Sequence, residues 1–311
     1  MAYVEIKNLV KRYRDLVAVD HLNLEIEKGE IYGLLGPNGS GKTTVLNCLL
    51  ALLYFDKGSI RIDGKEMSPD AYDIKKKIGV VMQNVAVFGQ LSVWENIDYF
   101  CGLYVEDKRR RRELDEEALR FTGLENFRKK KPKELSGGLL RRLNIACGIV
   151  HKPELLILDE PTVAVDPQSR NRILEGIQEM NREGTTVIYT SHYMEEVEQI
   201  CHRVTILDQG KALASGTVEE LKRLINTGDI ITLEGIYIEE EQLAEIRLLP
   251  HVFRADYDGE KLTLRCRKAK DNLLRVLHFL QEREIPFENV FSQLPTLNDV
   301  FLEITGKELR D

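Results

Sequence analysis

The stretch GPNGSGKTT, residues 36–44, decides the fold predicted for this chain. It follows GEIYGLL, an apolar run at residues 29–35 that predicts a strand, and it precedes a predicted helix that begins near Gly41. The stretch fits the pattern G-x-x-x-x-G-K-[ST], in which glycines let backbone N–H groups turn inward around a polyphosphate. A chance glycine turn is the alternative, and the strand-loop-helix context argues against it.

The residue types of this loop predict its chemistry. Lys42 would reach the terminal phosphates of a nucleotide, and the Thr43 hydroxyl would bind Mg²⁺. The residues predicted to hold the phosphates are Gly36, Pro37, Asn38, Gly39, Ser40, Gly41, Lys42, Thr43 and Thr44.

Polar residues follow other apolar runs. LLILDEP, residues 155–161, predicts a buried strand that places Asp159 at its carboxyl end, where open α/β sheets bind ligands. Asp159 suits the Mg²⁺ shell, and Glu160 is free to orient and deprotonate a water. His192 and Gln83 end two further apolar runs in the same way, and His192 could sense a γ-phosphate. A solvated turn is the alternative for each of them taken singly.

The alternation of apolar runs and helical patterns predicts an α/β domain with a mainly parallel sheet. Two antiparallel β runs, residues 3–9 and 17–26, precede this sheet, and residues 92–150 are predicted to be helical from a capping box at Ser92 and Glu95 onward. The apolar window at residues 45–55 is too short to span a bilayer and predicts a buried helix.

After Leu224 the pattern changes to βαββαβ followed by one more helix, with a hairpin turning at Asp258 and Gly259. This order predicts a small ferredoxin-like α+β domain. The predicted domains are residues 1–225, with a helical subdomain at about residues 84–150, and residues 226–311.

The composition of the chain limits its possible partners and its cellular setting. The net charge of −7 argues against a general nucleic-acid partner, and the five scattered cysteines indicate a reducing, cytosolic setting. The amino terminus lacks the pattern of a signal peptide.

ELSGG, residues 134–138, predicts a second anion-binding helix start. Ser136 fits the N-cap, and the two glycines leave the first-turn N–H groups open to a phosphate. A capped surface helix without ligand is the alternative.

Taken together, these motifs resemble the ATP-binding subunits of ABC transporters. Six features occur in the order that is typical of that family: the loop at residues 36–44, Gln83, LSGG, LLILDEP, Asp166 in TVAVDP, and His192. The final stretch, LPTLNDVFLEITGKELRD at residues 294–311, is similar to the tail of exporter-type subunits for drugs and polysaccharides, which carry a C-terminal accessory domain.

The resemblance implies a P-loop ATPase of the ABC type that binds ATP and Mg²⁺. Tyr13 would stack on adenine, Thr43, Gln83 and Asp159 would serve the metal, and Glu160, His192, Lys42 and Gln83 would be catalytic. Two copies would pair head to tail, so that Ser136, Gly137 and Gly138 reach the ATP of the partner and Asp166 lies at the subunit contact.

The resemblance also implies where the subunit works. It would lie peripherally on the cytoplasmic face of the membrane, energise a separate permease that docks near residues 84–96, and export a substrate. A soluble ABC-type ATPase acting on ribosomes or DNA is the alternative function. A ligand-sensing role of the C-terminal domain is a further hypothesis that is compatible with the first.

Two positions depart from the family pattern. Leu139 stands where Gln or Met is common, and Ala164 stands where Gly is common. We expect an active ATPase, because backbone N–H groups and Ser136 would carry the anion contact. The basic runs at residues 108–112 and 128–133 are interpreted as solvated surface, with a patch for anionic lipid as the alternative.

Overall fold

The structure is a computed structural model that describes residues 2–163 and 165–305. Contacts divide these residues into two compact units, one extending to Val218 and one beginning at Glu219. The sequence prediction placed this division after residue 225. Within the described ranges, no helix combines the length and the apolar character that are needed to cross a bilayer.

The first unit is built on a central sheet of six strands in the order β10-β9-β3-β8-β7-β6. Every adjacent pair is parallel except β9 and β10, as the apolar runs predicted. Every residue of β3, β7 and β8 is buried, as expected for a parallel sheet that is covered on both faces. The strands are β3 (Ile31–Leu35), β6 (Ile78–Val81), β7 (Leu155–Asp159), β8 (Thr186–Ser191), β9 (Arg203–Asp208) and β10 (Lys211–Thr217).

A second sheet of the first unit is antiparallel, with the order β2-β1-β4-β5. Its two longest strands confirm the predicted amino-terminal pair, although the first continues to Tyr13. The strands are β1 (Val4–Tyr13), β2 (Leu16–Ile26), β4 (Lys57–Ile62) and β5 (Lys65–Glu66).

Seven helices belong to the described part of the first unit: α1 (Lys42–Leu49), α2 (Tyr72–Lys75), α3 (Val93–Gly102), α4 (Lys108–Thr122), α5 (Gly137–Ile149), α6 (Pro167–Arg182) and α7 (Met194–Ile200). The prediction of a buried helix over residues 45–55 is wrong in its second half. The helix α1 ends at Leu49, Ala51 adopts a left-handed φ of 52°, and Tyr54 is 82% exposed.

The helices α3, α4 and α5 form the predicted helical subdomain around an apolar core of their own. Its first helix begins with the predicted capping box, in which Ser92 Oγ accepts from Glu95 N at 3.2 Å and Glu95 Oε2 accepts from Ser92 N at 2.7 Å. In the basic run at residues 108–112, Lys108, Arg109 and Arg110 are exposed, as expected for a solvated helix face.

The second unit contains a four-stranded antiparallel sheet in the order β12-β13-β11-β14. Its strands and helices alternate as βαββαβ with a final helix, and the spatial order runs fourth, first, third, second when read from β14. This confirms the predicted ferredoxin-like arrangement. The elements are α8 (Val218–Arg223), which spans the division, β11 (Thr227–Glu234), α9 (Glu240–Arg247), β12 (Val252–Tyr257), β13 (Lys261–Arg267), α10 (Asn272–Glu282), β14 (Asn289–Gln293) and α11 (Leu297–Thr305).

Candidate functional site

The glycine loop is wedged against its neighbours so closely that two of its glycines cannot carry a side chain. A Cβ on Gly36 would lie 2.1 Å from the Leu207 carbonyl oxygen, and one on Gly41 would lie 2.5 Å from that of Ala18. Gly41 also has a φ of 108° and begins α1 without a side-chain cap. The first N–H groups of α1 are therefore available to a bound anion.

Lys42 is buried at the start of α1, with 5% of its surface exposed. Its ammonium donates to the carbonyl oxygens of Gly36 at 2.7 Å and Pro37 at 3.2 Å. It also lies 3.2 Å from Glu160 Oε1. The positive charge of the loop, the Lys42 ammonium, is therefore buried beside the Glu160 carboxylate, which follows β7.

Glu160 brings the four residues predicted to be catalytic together. Its Oε1 lies 3.2 Å from Lys42 Nζ and 3.4 Å from His192 Nδ1, and its Oε2 accepts from Gln83 Nε2 at 3.1 Å. The side chain is buried, and the backbone adopts a left-handed φ of 49°. This is strained for a residue that is not glycine, and such strain is typical of functional sites.

Asp159 ends β7 with both carboxylate oxygens hydrogen-bonded. Its Oδ2 accepts from Thr43 Oγ1 at 2.9 Å, and its Oδ1 accepts from Thr190 Oγ1 at 2.6 Å. The hydroxyl and the carboxylate predicted for Mg²⁺ are therefore in direct contact. Such hard oxygens suit Mg²⁺, which takes one or two carboxylates and completes its shell with phosphate and water oxygens.

A cavity of about 600 Å³ opens beside the loop. Tyr13 lines it and is 46% exposed, which leaves its ring accessible to an adenine. Sequence reasoning missed Gln209 and Gly210, which complete the wall, because they follow β9 at a great distance along the chain. Another cavity, of about 500 Å³ between α4 and α6, contains none of the predicted site residues.

Sequence reasoning also missed Arg141 on α5. This arginine is 4% exposed. Its guanidinium donates to five carbonyl oxygens at or just after the ends of β6 and β7, at 2.8 to 3.0 Å: those of Met82, Gln83, Asp159, Glu160 and Pro161. Burial lowers its pKa, although Asp159 opposes that effect. Arg141 therefore fixes the backbone on which Gln83, Asp159 and Glu160 stand.

The second glycine site lies apart from this cavity. Ser136 caps α5, with its Oγ accepting from Leu139 N at 3.3 Å, as predicted. A Cβ on Gly138 would lie 3.2 Å from Asp166 Oδ2, whereas one on Gly137 would meet nothing within 4 Å. In the described ranges, none of Ser136, Gly137, Gly138 and Asp166 lines the cavity at the loop.

Of the two positions that depart from the family pattern, the structure describes Leu139 but not Ala164. The Leu139 side chain is partly buried and packs on the core of the helical subdomain. Ala164 lies outside the described residues. The hydrogen bond from the backbone N–H of residue 139 to Ser136 Oγ does not depend on the side chain at position 139.

Comparison with protein families gives two matches. The profile described as "ABC transporter" matches residues 19–163. The profile described as "ATP-binding protein DrrA1-3-like, C-terminal domain" matches residues 216–305.

Relatives align along nearly the whole chain. The linearmycin resistance ATP-binding protein LnrL of Bacillus subtilis (strain 168) is 39% identical over 99% of this chain and 100% of its own. The daunorubicin resistance ATP-binding protein DrrA3 of Streptomyces coeruleorubidus is 36% identical over 96% and 95%. The Nod factor export ATP-binding protein I of Burkholderia thailandensis is 34% identical over 100% and 99%.

Solved structures share the fold. A dimeric ATP-binding cassette in a post-hydrolysis state, bound to ADP and Pi, has a TM-score of 0.64 and 28% identity, and the match covers 69% of this chain and 98% of that one. A cassette from Clostridium perfringens, described as part of an ABC transporter complex, has a TM-score of 0.66 and 27% identity over 80% and 95%.

Proposed function

Because this chain belongs to the ATP-binding subunits of ABC transporters, we propose a residue-by-residue account of its ATPase site, its pairing and its membrane partner. The family membership makes the chain an ATPase subunit of an ABC transporter. One observation supports the proposed ATPase site: the buried carboxylate of Glu160 lies within 3.4 Å of side-chain nitrogens of Lys42, Gln83 and His192.

We assign Glu160 as the general base of ATP hydrolysis. Its carboxylate takes a proton from the attacking water while the water oxygen bonds to the terminal phosphorus and the bond to ADP breaks. Gln83 positions that water, Lys42 neutralises charge on the phosphates, and His192 contacts the γ-phosphate. Thr43, Asp159 and Gln83 would hold a Mg²⁺ ion, which would supply positive charge to stabilise the phosphate oxygens.

The substitution Glu160→Gln tests this assignment. It keeps the shape of the side chain and removes its basicity, so we expect ATP binding to persist while turnover falls about 10²- to 10⁴-fold. Binding is measured with a fluorescent ATP analogue, and turnover by phosphate release. A Glu160→Gln variant that hydrolyses ATP at the normal rate would refute the role of Glu160.

The position of LSGG supports a site shared between two subunits. In one chain, Ser136, Gly137 and Gly138 do not line the cavity at the loop, and Gly137 faces open space. A solved relative of the same fold is a dimer. We therefore propose a head-to-tail pair, with each ATP between the loop of one copy and the LSGG of the other.

An aromatic surface on the helical subdomain is the proposed contact for the permease. Phe88 and Tyr99 are each close to half exposed, and their rings meet edge to face with centroids 4.8 Å apart. The buried Asn96 holds the loop that carries Phe88, since its side chain bonds to the backbone of Phe88, Leu91 and Ser92. Exposed aromatic rings on a rigid loop suit a protein contact.

Substitution of a residue on this aromatic surface tests whether permease binding can be lost while ATP hydrolysis is kept. We expect Phe88→Ser to leave the ATPase rate of the isolated subunit unchanged and to abolish co-purification with the permease. The matched control is Tyr54→Ser, an exposed ring away from this surface. Equal recovery of the permease with both variants would refute the proposed contact.

We further propose that the transport is export, at the cytoplasmic face of the membrane. The supporting relatives are named for drug resistance or for Nod factor export. None of these three relatives is named for an action on ribosomes or DNA, and the chain's net charge of −7 is unfavourable for nucleic-acid binding.

A further inference from the structure

Glu196, on α7, is a buried carboxylate that has no role in the ATPase site proposed above. Only 3% of its surface is exposed. Its Oε2 accepts three hydroxyl hydrogen bonds, from Thr162 at 2.8 Å, Tyr189 at 2.8 Å and Ser191 at 3.1 Å. These donors come from the segment that follows Glu160 and from the strand that ends before His192.

The other carboxylate oxygen faces α6. Glu196 Oε1 lies 3.2 Å from Arg170 Nε, and the Arg170 guanidinium lies over the Tyr193 ring at 4.9 Å. The helix that carries Arg170 is capped by Asp166, whose Oδ1 accepts from Ser169 N. Glu196 thus joins the segment that follows Glu160, the strand that ends before His192, and α6.

The turn that carries His192 is fixed on both sides by these contacts. Before the histidine, Ser191 Oγ donates to Glu196 and accepts from Tyr193 N at 2.9 Å. After it, the Tyr193 ring packs on His192, with centroids 4.1 Å apart, and on Arg170. The direction of the His192 ring toward Glu160 therefore depends on residues that converge on Glu196.

A buried carboxylate is costly unless hydrogen bonds compensate it, and a core of the same volume could be made from apolar side chains. Stability alone thus gives no reason for a charge at this position. We propose that Glu196 is a positioning residue for ATP hydrolysis: it orients the turn that aims His192 at the γ-phosphate and ties this turn to α6. This inference rests on the proposed role of His192.

A double-mutant cycle tests it in the full-length chain. We expect Glu196→Gln to lower kcat about tenfold with little change in KM for ATP, since misplacing a catalytic group by an ångström costs up to about 10²-fold. In a His192→Ala background, the same substitution should cause no further loss, because the residue that it orients is absent. The neighbouring exposed Glu195→Gln is the matched control and should leave kcat unchanged in both backgrounds.

A milder variant guards against a folding defect. Ser191→Ala removes only the hydroxyl between Glu196 and Tyr193 N, so its smaller loss of kcat should also vanish in the His192→Ala background. If Glu196→Gln lowers kcat by the same factor in both backgrounds, it does not act through His192 and the inference is wrong. If His192→Ala itself leaves kcat unchanged, the proposed role of His192 fails instead.

Discussion

Individual buried charges of the first unit have different environments, and these decide their roles. Glu160 has basic partners at one carboxylate oxygen and an amide partner at the other. Asp115, on α4, is fully buried in the helical subdomain; burial raises its pKa to about 7, and the charge of Asp98 adds to the rise. Its carboxyl group therefore holds its proton in the fold at a pH where an ordinary aspartate has lost it.

This raised pKa predicts a pH-dependent stability. The folded state binds a proton that the unfolded state releases near pH 4, so the free energy of unfolding should fall by about 1.4 kcal/mol for each pH unit between about pH 4 and pH 7 and then level off. Asp115→Asn should remove this contribution. Chemical denaturation at pH 5 and pH 7 measures it, with the exposed Asp70→Asn as control. A slope that survives in Asp115→Asn would belong to another group.

Among the elements, α5 carries two functional features within its first two turns. Its start carries Ser136 and the glycines, while Arg141, one turn further, holds the carbonyl groups behind the catalytic residues. A change at one site of this helix can therefore be separated from a change at the other.

Arg141→Met should be strongly destabilising. It removes the donor of five hydrogen bonds to backbone carbonyl groups, and we expect the free energy of unfolding to fall by at least about 3 kcal/mol. The adjacent Arg142 donates to a single carbonyl, that of Thr122, so Arg142→Met should cost only about 1 kcal/mol. Urea denaturation of the two variants gives the comparison, and equal losses would contradict the structural role assigned to Arg141.

Gly137 is a better place than Gly138 to disturb the start of α5. A Cβ added at Gly138 would lie 3.2 Å from an Asp166 carboxylate oxygen of its own chain, whereas one added at Gly137 would have no atom within 4 Å. We expect Gly137→Asp to preserve ATP binding by the isolated chain and to block hydrolysis, because the new charge would face the nucleotide of the partner. Loss of binding by the monomer would contradict this.

At the scale of the whole molecule, a shared site predicts complementation. Neither Lys42→Ala nor Gly137→Asp should hydrolyse ATP alone, but a mixed pair would contain one intact site. An equal mixture should therefore recover up to roughly a quarter of the normal rate, since half of randomly formed pairs are mixed. Phosphate release by the mixture measures this, and a mixture as inactive as its components would refute the shared site.

The second unit should fold by itself. It has its own sheet and a separate apolar core that includes Ile231, Leu264 and Val276. We expect a fragment beginning at Glu219 to melt in a single cooperative transition by circular dichroism. A fragment without such a transition would show that the unit needs the ATPase part to fold.

The sequence predicted those features that local patterns encode. The glycine loop, the strand that ends at Asp159, the capping box at Ser92 and the βαββαβ order are all local. Arg141 and Glu196 were missed because a charged residue on a helix is usually a surface residue, and only long-range contacts reveal their burial. The left-handed backbone of Glu160 was equally invisible, since its residue type does not favour it.

Because of this backbone conformation, the residue that is best for stability at position 160 differs from the residue that is best for ATP turnover. A φ of 49° costs a side-chain-bearing residue about 1–2 kcal/mol, and glycine would avoid this cost. A library of variants at position 160 that is sorted only for folding should therefore drift toward glycine or asparagine. The same library sorted for ATP turnover should return to glutamate, so the two sorted populations would diverge at this residue.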